Sequence, residues 1–452
     1  MAFGNDQHAI AHHDEHHGDG HALHHGPRSL PSELSSPVLL TAWRTRALMI
    51  CAVSVVLSLP FFFVHGGPDH ILRAYLLGFM CSFTLSGGGL VMLMLQYVTG
   101  GKWGLLLRRP LEAMTRTLPL VALFTLPLGI FGSHLYQWWA YPNKAATAHA
   151  FAIGAMTKEQ QLTANSKHTM FNPVSAIVQT CVIFGVLMLF MFLLNKWSLQ
   201  RDADPAAGTM PSYDRWRTRF ENLSGPGIFI YVVLLSNGAL LWIMSLDVTW
   251  YSSIWGLRFL VGQGFAVLAL SILTVVQLSK VQPMKTLLRI TEQHDLGKFL
   301  FAFVMLNMYI AFAEFLIIWS GNLPDEISWY LSRLRGGWWV VCALDVICHW
   351  LIPFTLLLSR ELKRSKKRMI TLCSFMLFAR ALDMFWLIEP NFKDSASNFH
   401  IIGNWGMLAY IPVPLAVLSL WAAFYFHQLM SRPLVNVNDP HLAEILEPEH
   451  AH

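Results

Sequence analysis

The sequence predicts an all-α, polytopic membrane protein with about ten transmembrane helices. Three observations carry this prediction. Of the 452 residues, 54% are hydrophobic and only 13% charged; the mean hydropathy is +0.44; and apolar stretches of spanning length recur along the whole chain. Soluble domains run near one quarter charged, so this chain is too apolar to be one.

A hydrocarbon layer about 30 Å thick takes roughly 20 helical residues at about 1.5 Å each. Stretches of about that length run from Ala47 to Val64, Ala74 to Val98, Met114 to Gly132, Phe171 to Leu194 and Ile228 to Leu246. Five more run from Ile254 to Leu278, Phe299 to Ser320, Trp338 to Leu358, Ile370 to Ile388 and Trp405 to Phe426. Pro173 suits a first helical turn, whereas Pro119, Pro127 and Pro353 are expected to kink their helices and free carbonyls for neighbours to satisfy. Gly87, Gly88 and Gly89 permit close helix contact.

Most of the 32 Lys and Arg residues fall on alternate connections, among them Arg44, Arg108, Arg109, Arg201, Arg215, Lys285, Lys363 and Arg364. Basic loops resist translocation, which places that side, and with an even helix count both termini, in the cytoplasm. The opposite side is aromatic: Tyr136, Trp138, Trp139 and Tyr141, then Trp250, Tyr251 and Trp255, then Trp329, Tyr330, Trp338 and Trp339 are expected as a belt in the headgroup zone.

The chain divides into a His-rich tail over residues 1–40, a membrane domain over 41–430 and a short tail over 431–452. The first tail mixes His12, His13, His16 and His17 with Asp14 and Glu15, which predicts disorder; metal binding there is a weak alternative, because no fixed ligand spacing is visible. The tail is not a basic stretch followed by an apolar core, so no cleaved signal is expected. Six cysteines occur without a CxxC or CxxCH, so no iron–sulfur cluster or c-type haem is expected on this chain, and haem b is not expected because only His349 lies well inside the membrane where a facing pair of histidines is needed. No basic patch with interleaved aromatics points to nucleic acid.

Ionisable residues at membrane depth are costly and mark function. Asp345 and His349, four apart, share one helix face, as do Arg380 and Asp383, three apart; Glu314 lies at similar depth. These five groups are nearly charge-balanced. They form either a neutralised network that fixes helix register or a proton pathway. A second set, His134, Tyr136, Lys167, His168 and Asn172, offers the hydrogen-bond partners and aromatic wall that a quinone head group needs, provided the residues converge. Asp247 and Arg258 are expected to pair across a short connection between helix ends.

Four segments carry a family likeness. They are GGKWGLLLRRPLEAMTRTLPL from Gly100, SGPGIFIYVVLLSNGALLWIMSLDVTWYSSIWGLRFLVGQG from Ser224, DLGKFLFAFVMLNMYIAFAEFLIIWSGNLPDEISWY from Asp295, and ARALDMFWLIEP from Ala379. They resemble the F subunit of bacterial alternative complex III, a relative of the polysulfide-reductase membrane subunit, over roughly residues 40–440. The resemblance implies two four-helix bundles plus flanking helices. It also implies a place in a quinol:cytochrome c oxidoreductase of the bacterial inner membrane. The expected partners are haem c and iron–sulfur subunits, a homologous membrane subunit, and a terminal oxidase or cytochrome c. In that family the F subunit is named as a second quinone-binding or proton-conducting subunit. The matching positions are His134, Tyr136, Lys167 and Asn172, with Asp247, Arg380 and Asp383. Glu314 replaces the relatives' usual Gln and is expected either to couple into the acidic layer or to pair with Arg380. The MFNPV segment at Asn172 departs from the usual pattern. A secondary transporter and a structural anchor remain the alternatives.

Overall fold

The computed structural model describes residues 34–35, 37–101, 103–204, 206–207, 209–392, 405–436 and 439. The His-rich segment, with its metal-ligand candidates His12, His13, His16 and His17, lies outside them. Among the described residues the chain is helix and turn without a strand.

Among the described residues, ten helices are long and apolar enough to cross a membrane: α1 (Pro37–Phe63), α2 (Gly67–Thr99), α3 (Trp103–Ile130), α4 (Pro173–Ala203), α5 (Met210–Leu246), α6 (Trp255–Leu278), α7 (Ile290–Gly321), α8 (Trp338–Leu358), α9 (Lys366–Asn391) and α10 (Trp405–Met430). All ten expected spans are present. Several extend past their apolar stretch, because a helix continues into the headgroup layer while its backbone bonds are satisfied. Helix α1 begins at Pro37, so the first tail is shorter than expected. The Leu434 amide donates to the Leu34 carbonyl at 2.8 Å, which brings the two ends of the membrane domain together.

The spans pack as two four-helix groups, α2 to α5 and α6 to α9, joined where α6 meets α2 and α5, with α10 against α2 and α1 against α10. Helix α2 is buried along its apolar length and α6 nearly so, as expected for helices that are apolar on every side. The outer helices present Val53, Phe229, Ile317 and other apolar side chains outward, as a lipid-facing surface requires.

Three consecutive glycines let the centre close. A Cβ on Gly87 would lie 2.8 Å from the Tyr231 hydroxyl on α5, one on Gly88 2.8 Å from Gln263 Cβ on α6, and one on Gly89 2.8 Å from Met114 Cβ on α3. Helix α3 is broken into the segments Trp103–Thr115, Leu118–Leu123 and Thr125–Ile130. Pro119 and Pro127 cause this by removing amide donors. The Tyr75 hydroxyl donates to the Phe124 carbonyl at 2.9 Å, at the second break.

Most of the aromatic side is buried, although Tyr251 and Trp339 stand exposed. Tyr136, Trp138, Trp250, Trp255, Trp329, Tyr330 and Trp338 are all buried. Trp250 stacks on Trp329 at 4.4 Å between ring centroids, and Trp329 meets Trp386 edge-on at 5.5 Å. Connections folded over the helix ends supply ring partners, so stacking replaces lipid contact.

Candidate functional site

The titratable residues of the second helix group converge. Arg258 stands one turn inside α6, where it is the lone cation of an apolar helix. Its guanidinium donates to Glu314 on α7 at 2.9 Å and to Asp383 on α9 at 3.4 Å. Arg380, one turn before Asp383 on the same face, donates to the other Asp383 oxygen at 2.5 Å. The Ser252 hydroxyl donates to the second Glu314 oxygen at 2.5 Å. Glu314 and Asp383 thus have every oxygen matched.

Asp345 and His349 complete the set from α8. Asp345 ends the α-helical segment Trp338–Asp345, and His349 sits in the wider π-helical turn Val346–Leu351. Pro353 has no amide to give the His349 carbonyl, and the Ile352 amide reaches back five residues to the Ile347 carbonyl. Such wide turns recur at functional sites. The imidazole Nδ1 stands 3.9 Å from Asp345 Oδ1, and the ring meets Phe265 edge-on at 4.4 Å. Side-chain atoms of Asp345, His349 and Asp383 all lie within 4.8 Å of one another. Asp345 Oδ1 and His349 Nε2 are buried with no hydrogen-bond partner among the described residues.

Arg258, Asp345, His349 and Asp383 line a cleft of about 360 Å³, with Asn307, Tyr330, Trp350 and Trp386 around them and Glu314 and Arg380 bonded behind. Two guanidinium groups face three carboxylates there, so one proton, on Asp345 or on His349, is what neutralises the cluster. The carboxylate and imidazole without hydrogen-bond partners are the natural holders of that proton. The trio is a poor cation site, because both Asp383 oxygens are already held by arginines. Burial pushes the Tyr330 phenol, on the connection before α8, above its ordinary value.

The second expected set does not converge. His134 is exposed and faces Asp69 at 3.2 Å. The buried Tyr136 hydroxyl donates to the Trp242 carbonyl at 2.9 Å. Lys167 donates to the Val248 carbonyl at 2.9 Å, and its ammonium is pushed below its ordinary value by burial, which the Asp247 carboxylate partly offsets. His168 bonds the Pro142 carbonyl. Asn172 caps α4 by accepting from the Ser175 amide at 2.9 Å. Of these five, Tyr136 alone lines the adjoining cleft of about 350 Å³, which is apolar and aromatic.

The expected pairing of Asp247 with Arg258 is replaced. Asp247 accepts from the Thr249 amide at 3.0 Å and hydroxyl at 2.7 Å, which closes its own turn. Arg258 points into the membrane domain, where two carboxylates outcompete one at the surface. Glu314 accordingly joins the acidic layer through Arg258, not through Arg380. A lone cation inside an apolar helix was the available signal for this role; nothing in the spacing identifies Asn307, Tyr330 or Trp386.

No protein-family model matches the chain, and no curated protein matches it. The fold defines an all-α, multi-pass integral membrane protein.

Proposed function

We propose that the chain is a membrane subunit of a respiratory quinol:cytochrome c oxidoreductase, similar to the F subunit of alternative complex III, and that the α6 to α9 cleft binds quinone and passes protons. The observation that carries this is Asp345 Oδ1 with His349 Nε2, both buried without a hydrogen-bond partner among the described residues, on side chains facing a cleft walled by Trp350 and Trp386. A quinone head group needs donors or acceptors for two oxygens, a proton partner and an aromatic wall. All three lie in this cleft, and the His134, Tyr136, Lys167 and Asn172 set lacks them in one place. The quinone site therefore belongs in the second helix group.

A bound quinol would release its two hydroxyl protons one after the other to whichever of Asp345 and His349 is unprotonated, the pair passing one proton on before it takes the next. The haem c and iron–sulfur subunits implied by the resemblance would take its electrons. The Arg258, Glu314, Asp383 and Arg380 chain holds the cleft in shape and balances its charge. In this reading the chain sits in the bacterial inner membrane with both termini in the cytoplasm, beside a homologous membrane subunit, and serves cytochrome c or a terminal oxidase. The alternating Lys and Arg bias supports that orientation.

The test is quinol turnover and proton yield in the assembled complex carrying Asp345→Asn or His349→Gln. The proposal expects either change to cut both about tenfold or more, within the range of general acid–base contributions. Unchanged turnover and yield in an assembled complex would leave a structural anchor. The π-helical turn beside intramembrane charge also suits a secondary transporter. Gentle extraction decides that point, since a lone, colourless, monodisperse protein favours the transporter.

A further inference from the structure

A third cleft, of about 230 Å³, opens at the opposite, basic ends of α2 to α5, lined by Gln96, Tyr97, Arg108, Arg201, Trp216 and Arg217 among others. Arg108 is matched by Asp439 at 2.9 Å, and Arg217 by Glu221 at 2.6 Å. Arg201 has no ion pair or side-chain hydrogen bond among the described residues, although it is only 4% exposed. Its guanidinium lies over the Phe220 ring at 5.4 Å, and Phe220 stacks on Tyr97 at 4.1 Å. The Tyr97 hydroxyl, on a residue 6% exposed, is likewise without a hydrogen-bond partner. One cation without a direct ion pair, with the Asp439 and Asp202 carboxylates acting on it only at longer range, and one idle hydroxyl thus face the same cleft.

Its position narrows the ligand. Helix α4 is 31 residues long, or about 46 Å at the helical rise, which exceeds a hydrocarbon layer of about 30 Å. Arg201, in its last turn, therefore stands in the headgroup layer. Buried cations there need an anion, and arginine forks match phosphate oxygens two at a time. Basic pockets between helices on the cytoplasmic side suit anionic headgroups.

We propose that this cleft binds the phosphate of an anionic phospholipid, held by Arg201 and Tyr97. The assignment is independent of the quinone reading, because the two clefts lie at opposite ends of the molecule and share no residue.

The test uses the full chain, purified and delipidated, with melting temperature and native mass spectrometry as readouts. Phosphatidylglycerol, phosphatidylcholine and inorganic phosphate are added in turn. Phosphatidylglycerol is expected to stabilise the wild type and remain bound in the mass spectrum, while phosphatidylcholine does neither. Arg201→Gln is expected to weaken phosphatidylglycerol binding about tenfold or more, as loss of a charge-assisted hydrogen bond implies. Arg201→Lys should recover part of it, and Tyr97→Phe should weaken it severalfold. If Arg201→Gln does not fold, Tyr97→Phe carries the same test. Equal stabilisation by both lipids, or unchanged binding in the variants, would overturn the site. An equal effect of inorganic phosphate would overturn the lipid as its source.

Discussion

Arg258 donates to Glu314 at 2.9 Å across the α6 and α7 interface, with both side chains buried. This pair, extended to Asp383 at 3.4 Å, ties three helices around one cleft. It also leaves Asp345 and His349 as the members of the cluster without hydrogen-bonded partners.

Removing one side of that pair strands a buried charge. Glu314→Ala is expected to destabilise the protein by about 3–5 kcal/mol, the cost of an uncompensated buried ion. Glu314→Gln, whose carbonyl can still accept from Arg258 while its amide donates to the Ser252 hydroxyl oxygen, is expected to cost less. Unfolding of the purified variants in detergent measures both, and equal stability of wild type and Glu314→Ala would refute the pairing.

The contact of α2 with α6 predicts a packing effect far from any charge. A Cβ at Gly88 would stand 2.8 Å from both Gln263 Cβ and Val267 Cγ2. Gly88→Ala is expected to cost about 1–3 kcal/mol by overpacking, and Gly88→Leu is expected to block folding. Expression and melting temperature read this directly.

Tyr136 tests where quinone does not bind. Its hydroxyl serves the Trp242 carbonyl, so Tyr136→Phe is expected to cost about 1 kcal/mol of stability and to leave the KM for quinol unchanged. A raised KM would return the quinone site to the first helix group.

Lys167 supplies a pH dependence. Burial lowers its pKa in the folded protein, so between that lowered value and about 10.4 the unfolded chain binds the extra proton. Stability from this group is therefore lowest at low pH and rises through that window. The stability of wild type relative to Lys167→Met is expected to increase as pH rises towards 10, on the scale of the ordinary lysine value. Unfolding at stepped pH checks the sign, and a falling difference would contradict it.

The departures between sequence and structure have one source. Gly87, Gly88 and Gly89 were readable as a close contact, but their three separate neighbours, Tyr231, Gln263 and Met114, come from three other helices. The buried tryptophans were readable as interfacial, but connections folded over them. Asp247 and Arg258 were near in sequence and so were paired, yet Asp247 turned to Thr249.

The sequence by itself determined the ten spans and the set of costly charges within them, because apolar length and the penalty for buried ions are local properties of the chain. It also marked Asp345 with His349, and Arg380 with Asp383, as sharing helix faces, since helical periodicity is local too. Only the tertiary structure decided that Arg258 joins Glu314 to Asp383, that a cleft opens beside His349, and that Arg201 Nη2 and the Tyr97 hydroxyl have no hydrogen-bond partner among the described residues at the far end. Those outcomes depend on how helices distant in sequence rotate against one another, and a side chain's partner across such an interface leaves no mark in the spacing of its own segment.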